Sequence, residues 1–264
     1  MAQEGFVYEE KAYQALQKYG ISTGGTAGAS HDKPDLTIKA SGKNPTGCEL
    51  KNSPTAAGSL VLKYINGKWA FGETDGEIEK EFLKALGQKA NLLSTMTNKW
   101  SGKVPMLQND ASGKKKLRVG SWSVLEDKKR AYAYDLKTFG GTNEVHIDVG
   151  AKAVCDYYIA KKCSYINVGT HGFFTLNNVD SLGLNKNLAK LNQKSIPNFA
   201  TSANCKIRVR VQQKSSSKAD YQFVMTLQFS NVLKSPYNLA PLLSGSKSEI
   251  DKNKLAKDPI LSAF

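Results

Sequence analysis

PDLTIKASGKNPTGCELKN, residues 34–52, is the stretch on which the reading of this chain turns. Leu36 and Ile38 alternate with Thr37 and Lys39, the period of two expected of a strand with one covered face. SGKNPTG supplies turn-forming residues, and TGCELKN resumes as a second short strand whose natural partner is the first. Side chains alternate faces along a strand, so Glu49 and Lys51 point one way and Leu50 the other. If the two strands pair, Asp35 at the head of the first joins Glu49 and Lys51.

Working outward, FVYEEKAYQALQKY (residues 6–19) is rich in helix formers and is followed by Gly20, suited to a left-handed helix cap. STGGTAGASHDK then reads as a loop leading into the first strand. Beyond Asn52, SLVLKYINGKWAFG carries two apolar runs around Asn66-Gly67, the dipeptide that most readily forms a type I′ hairpin turn. Residues 76–96 place Ile78, Phe82, Ala85, Leu86, Leu92 and Leu93 at helical spacing, with Gly87 weakening the middle, and predict a second helix. Later, CKIRVRVQQK and YQFVMTLQFS predict an antiparallel pair with Ile207, Val209 and Val211 on one face and Arg208 and Arg210 on the other. These elements predict an α/β fold, a mixed central sheet flanked by helices with an additional basic region. The expected organisation is a core carrying the site over 1–97, an insertion or second lobe over 98–163, a β-rich completion over 164–243 and a polar appendage over 244–264.

The chain holds 37 Lys and Arg against 23 Asp and Glu, a formal charge of +14, which suits a polyanionic partner and by itself does not choose between nucleic acid and an acidic membrane surface. No run approaches the ~20 apolar residues of a bilayer span, and MAQEGFVYEE lacks the layout of a secretory signal, so no membrane association and an intracellular location are expected. Cys48, Cys155, Cys163 and Cys205 form no CxxC pair and read as reduced core thiols. The Ser22–Ser30 glycine-rich segment lacks GxxxxGK[ST], so no ATP chemistry is inferred.

Asp35 and Glu49 brought together make a hard oxygen site of the kind Mg²⁺ prefers, with Mn²⁺ as a substitute. Beside them, the Lys51 ammonium is suited to orient an attacking water or offset developing negative charge, which is the requirement of phosphodiester hydrolysis. The plainer alternative is an Asp, Glu and Lys network on an exposed hairpin, worth little stability.

Pro34-Asp35 followed by Glu49-x-Lys51 resembles the PD-(D/E)xK (restriction-endonuclease-like) nuclease superfamily, in which this motif sits on a strand hairpin behind an N-terminal helix. The resemblance spans roughly residues 5–96. It implies a metal-dependent deoxyribonuclease, an endonuclease acting on DNA rather than RNA, in which Asp35 and Glu49 ligate the metal, the Leu50 carbonyl faces it, and Lys51 acts on the water. It further implies a carboxylate from the helix: Glu9 is favoured because it shares a stripe with Phe6, Tyr13 and Leu16, and Glu10 is its alternative. The family also contains members that have lost catalysis, so a DNA-binding protein retaining the fold is the alternative function. Oligomeric state stays undecided, a homodimer being compatible with paired cuts.

Lys114, Lys115, Lys116 and Arg118, with Lys128, Lys129 and Arg130 nearby, are candidates for DNA phosphate contacts, and Tyr132, Tyr134, Tyr157 and Tyr158 are candidates to stack on exposed bases. Arg208 and Arg210 add a second basic group on one strand face. Glu144, His146 and Asp148 fall on one face of NEVHID, a conceivable metal trio that reads more simply as a solvated strand face. His171 reads as a hydrogen-bonded structural histidine, His31 as a loop residue near the cleft, and Cys48 as core rather than nucleophile because alternation turns it away from Glu49's face.

Overall fold

The computed structural model describes residues 2–17, 19–26, 33–55, 57–214, 220–239 and 259–264. The chain divides into two compact units, each assembled from separated segments: residues 1–57, 150–205 and 229–264 form the first, and residues 58–149 and 206–228 the second. Each unit holds a mixed sheet with helices.

In the first unit, helix α1 (Ala2–Gln17) buries Tyr8, Ala12, Ala15 and Leu16 along one stripe, the spacing of residues on one helical face. Gly20, at φ +69°, closes it, with Ile21 N–H donating to the Leu16 carbonyl. Strands β1 (Ser22–Thr23), β2 (Leu36–Ile38) and β3 (Thr46–Lys51) form an antiparallel meander. Gly47 permits the close approach of this hairpin to its surroundings, since a Cβ there would stand 2.5 Å from Pro34 Cγ and 2.7 Å from the Lys162 carbonyl oxygen.

Later segments complete the sheet. Helix α5 (Ala151–Ala160) leads into β9 (Cys163–Val168), which runs parallel to β3, and β10 (Gly172–Thr175) returns antiparallel, giving the order β1-β2-β3-β9-β10. Every residue of β9 is buried, as befits an inner strand covered on both faces, and for that reason its sequence shows no alternation. Leu36, Ile38, Cys48 and Leu50 enter the core with Tyr8, Leu16 and Tyr165.

The second unit begins with β4 (Ser59–Ile65) and β5 (Lys68–Phe71), paired Ile65 to Lys68 across Asn66 and Gly67, both at positive φ. This is the expected hairpin, but it stands in the other sheet from Asp35 and Glu49. The helix expected over 76–96 is two helices, α2 (Ile78–Lys89) and α3 (Leu92–Lys99), broken at left-handed Asn91. Gly87 lies inside α2, where a side chain would collide with Phe71 2.7 Å away. Strands β6 (Leu107–Asn109) and β7 (Lys115–Leu117), helix α4 (Leu125–Phe139), β8 (Val145–Val149), β11 (Asn204–Gln213) and β12 (Tyr221–Ser230) complete it, in the sheet order β7-β6-β4-β12-β11-β8 with β5 on β4. Trp69, Trp100, Phe139 and Phe223 form its aromatic core, with ring centroids 4.8–6.3 Å apart.

Three organisational expectations differ from this layout. The departure from the first unit runs over 58–149 rather than 98–163, and residues 206–228, expected to complete the core that carries the site, belong to the second unit. The last residues are not a polar appendage throughout: after α6 (Leu184–Lys190) and α7 (Phe199–Ser202), α8 (Pro259–Ala263) buries Ile260 and Ala263 in the first unit's core. Ser41 N–H donates to the Phe264 carbonyl there. Two buried residues in a five-residue helix give too short a pattern to register as periodicity.

Candidate active site

The β2–β3 register pairs Leu36 with Cys48. One step further it sets Asp35 across from Glu49, on the face opposite Leu36, Cys48 and Leu50. The Leu50 N–H donates to Asp35 Oδ2 at 2.8 Å. Since the N–H and C=O of one strand residue project to the same side, the Leu50 carbonyl also faces the side on which Asp35 stands.

Lys51 Nζ lies 2.6 Å from Glu49 Oε1 and 3.9 Å from Asp35 Oδ2. The other Glu49 oxygen, Oε2, is held by Lys161 Nζ at 3.0 Å. Lys161 caps the C-terminus of α5, an end whose dipole favours a cation. Its side chain is 5% exposed, and the ammonium stands 5.8 and 5.7 Å from the Tyr157 and Tyr158 ring centroids. Sequence reasoning missed Lys161; the one signal for it is a Lys-Lys pair between an apolar helix and an apolar strand, which reads equally well as a solvated turn. The three carboxylates and two ammonium groups of this site all belong to the first unit.

Burial pushes the Asp35 carboxyl up to about 8, with the Glu49 charge adding to the rise and Lys51 opposing it. Burial alone would also raise Glu49, but Lys51 and Lys161 hold it below its ordinary value. Glu9 is pushed up to about 6, first by burial and then by Glu49, against the pull of Lys51 and Lys161. Glu9 therefore lies within electrostatic reach of the whole group, and its Oε2 is buried with no hydrogen-bond partner among the described residues. Glu10 is exposed and accepts from Gln14 at 2.7 Å; of the two helix carboxylates, Glu9 is the one at the site.

Three carboxyl groups against two ammonium groups leave one carboxyl without a counter-charge, and Asp35 answers by holding its proton to about 8; an orphaned buried carboxylate oxygen such as that of Glu9 costs on the order of 1–3 kcal/mol. Oxygen donors of this kind fit a hard divalent cation. As the side chains stand, no group of three or more His, Cys, Asp or Glu among the described residues is arranged to hold an ion. The reason is visible in the geometry: both Glu49 oxygens are on lysines, so a cation using Asp35, Glu49, Glu9 and the Leu50 carbonyl must draw Glu49 from Lys51.

The other candidates disperse. Glu144 accepts both Arg208 Nε at 2.5 Å and Nη2 at 2.9 Å, His146 stands 3.6 Å from Glu144 and Asp148 is exposed, an arrangement already neutralised by arginine. His171 Nδ1 lies 3.1 Å from the Val232 carbonyl oxygen. All four cysteines are free and buried; Cys163, not Cys48, directs its sulfur towards Glu49 Oε2, at 3.9 Å. His31 and the adjoining loop lie outside the described residues.

Lys114, Lys115, Lys116, Arg118, Arg208 and Arg210 all lie in the second unit but do not form one patch. Lys115 is on β7 at one edge of the sheet, with Lys114, Lys116 and Arg118 beside it, whereas Arg208 and Arg210 are on β11, with three strands between. At about 4.8 Å per strand that separation is near 19 Å. Lys115 is tied to Asp220 at 2.6 Å and to the Tyr221 carbonyl at 2.7 Å. Arg208 is occupied by Glu144, and Arg210 Nε is buried without a partner among the described residues. Tyr157 and Tyr158 are buried in the first unit and offer no surface to a base. Among the described residues no helix is long and apolar enough to cross a membrane.

Comparison with known proteins does not supply a family: the chain matches no protein-family model, no curated protein and no solved structure.

Proposed function

We propose that this chain is a Mg²⁺-dependent deoxyribonuclease of the PD-(D/E)xK type, with a restriction-endonuclease-like core in its first unit and an endonucleolytic mode on DNA. The observation that carries the reading is the gathering of three carboxyl groups, buried Asp35 and Glu49 and half-buried Glu9, around two ammonium groups, with Asp35 forced to hold a proton and an oxygen of Glu9 unsatisfied among the described residues. A surface ion-pair network would be wet, whereas Glu49 is fully buried. The placement of the motif on a paired hairpin behind α1 also supports it.

Asp35 and Glu49 would hold the ion, with the Leu50 carbonyl and Glu9 as further oxygen donors. A bound divalent cation supplies Lewis-acid polarisation of the scissile phosphate and acidifies water. Lys51, whose Nζ lies 3.9 Å from Asp35 Oδ2 as well as on Glu49, would orient the attacking water and offset charge growing on the phosphoryl oxygens once freed from Glu49. Lys161 keeps Glu49 in place by its second oxygen.

The hold of two lysines on Glu49 favours a second reading, a DNA-binding protein whose site is a metal-free ionic centre. Cleavage of linear, circular and single-stranded DNA in Mg²⁺, Mn²⁺ or EDTA separates the two. Metal-dependent cutting lost in Glu49→Ala and strongly slowed in Lys51→Ala is expected, with circular substrate opened. Uncut DNA in every metal, alongside salt-sensitive binding, would overturn the nuclease reading in favour of the second.

A further inference from the structure

The surface around α4 and the loop before it is both basic and partly apolar. Residues 114–137 carry eight Lys and Arg against three Asp and Glu, yet the same segment exposes large apolar side chains, Val119 at 67% and Tyr134 at 41% among them. Within it, cations and aromatic rings are paired. Arg118 Cζ lies 5.5 Å from the Tyr134 ring centroid, and Lys115 and Lys128 lie 4.8 and 5.2 Å from that of Trp122.

We infer that this surface binds single-stranded DNA, with Tyr134 and Trp122 receiving unpaired bases and Arg118 and Lys128 taking the flanking phosphates. Tyr134 is exposed and Trp122 half-buried, its ring tilted against Tyr221 at 5.8 Å; aromatic rings at a surface bordered by cations suit a polyanion whose bases are open to stacking, and a duplex offers the phosphates but not the base faces. Charge complementarity selects this occupant over an apolar protein face. Lys115 is anchored by Asp220 and the Tyr221 carbonyl and stays at its side of Trp122. Lys128 sits on α4, and its flexible stem lets the ammonium pass from ring to phosphate as a base arrives. The inference rests on the nucleic-acid half of the proposed function and is independent of its cleavage half.

The test is binding of labelled oligo-dT, oligo-U and a blunt duplex of equal length to the full chain in EDTA, so that cutting plays no part. Tyr134→Ala is expected to weaken oligo-dT binding about 5- to 100-fold while changing duplex binding by less than about twofold. Trp69 and Trp100 are 8% and 2% exposed, so quenching of tryptophan emission by oligo-dT reports Trp122 and is expected to vanish in Trp122→Phe, a substitution that keeps an aromatic ring. Equal losses for oligo-dT and duplex in Tyr134→Ala, quenching that survives Trp122→Phe, tighter binding of oligo-U, or Tyr134-dependent self-association would each overturn the inference. Oligo-dT binding in a chain that never cuts DNA would sink the nuclease proposal and leave this one standing; cutting without preference for oligo-dT would do the reverse.

Discussion

The proton that burial holds on Asp35 has a measurable consequence for stability. Its carboxyl titrates at about 8 in the folded chain against an ordinary 3.8, so between those values the folded state holds a proton that the unfolded state has lost. Stability from this group is therefore full below about pH 4 and is lost as pH rises towards 8. Glu9, pushed up to about 6, contributes the same sign at lower pH, which leaves pH 6.5–8 as the window belonging to Asp35. Within it one proton separates the two states, a slope of about 1.4 kcal/mol per pH unit and a loss of about 2 kcal/mol. For a chain of this size that lowers the melting temperature by about 4–8 °C. Thermal denaturation in EDTA across this window measures the slope, and Asp35→Asn, which has no proton to lose, is expected to flatten it. Mg²⁺ is expected to raise the melting temperature more at pH 8 than at 6.5, because an ion that favours the carboxylate removes the penalty. A wild-type curve flat in EDTA, or a slope unchanged in Asp35→Asn, would refute the assignment of a buried, proton-holding Asp35.

Lys161→Met strands one oxygen of buried Glu49 and is expected to cost about 3–5 kcal/mol in urea denaturation in EDTA, with part of the loss recovered in Mg²⁺; a neutral outcome would mean that Glu49 is wetter than its geometry indicates. Gly47→Ala drives a methyl into Pro34 and the Lys162 carbonyl and is expected to destabilise by about 1–3 kcal/mol and to depress DNA cleavage by displacing Asp35. Lys51→Ala is expected to lower the cleavage rate by about 10²–10³, read in single-turnover assays, with DNA affinity little changed. Arg118→Ala is expected to reduce the salt slope of DNA binding by about one counterion, whereas Arg208→Ala, losing a residue already committed to Glu144, is expected to act mainly on stability.

Much of the local structure was legible because it is short-range. The alternation in 34–52, the Asn66-Gly67 turn and the stripe on α1 each follow from backbone geometry within a few residues, and Asp35, Glu49 and Lys51 converge because one hairpin carries all three. The placement of Glu9, rather than Glu10, beside Glu49 and Lys51 was legible as a helical stripe with Tyr13 and Leu16; the side chain of Phe6, the other member of that stripe, lies outside the described residues. The tyrosines illustrate the limit: four looked alike in sequence, and burial removes Tyr157 and Tyr158 from any surface role.

By itself, then, the sequence determined α1, the motif hairpin, the Asn66-Gly67 hairpin and the β11–β12 pair, whose partners are neighbours along the chain. Only the tertiary structure decided which elements share a unit, moving the 59–71 hairpin and the helices after it out of the unit that carries Asp35 and Glu49. Only it brought Lys161 to Glu49, across 112 residues, and closed the first unit with the last turn of the chain. The physical reason is that periodicity reports which face of an element is apolar, not which other apolar face will cover it; that pairing depends on long-range packing, to which a strand buried on both sides, such as β9, gives no alternating signal.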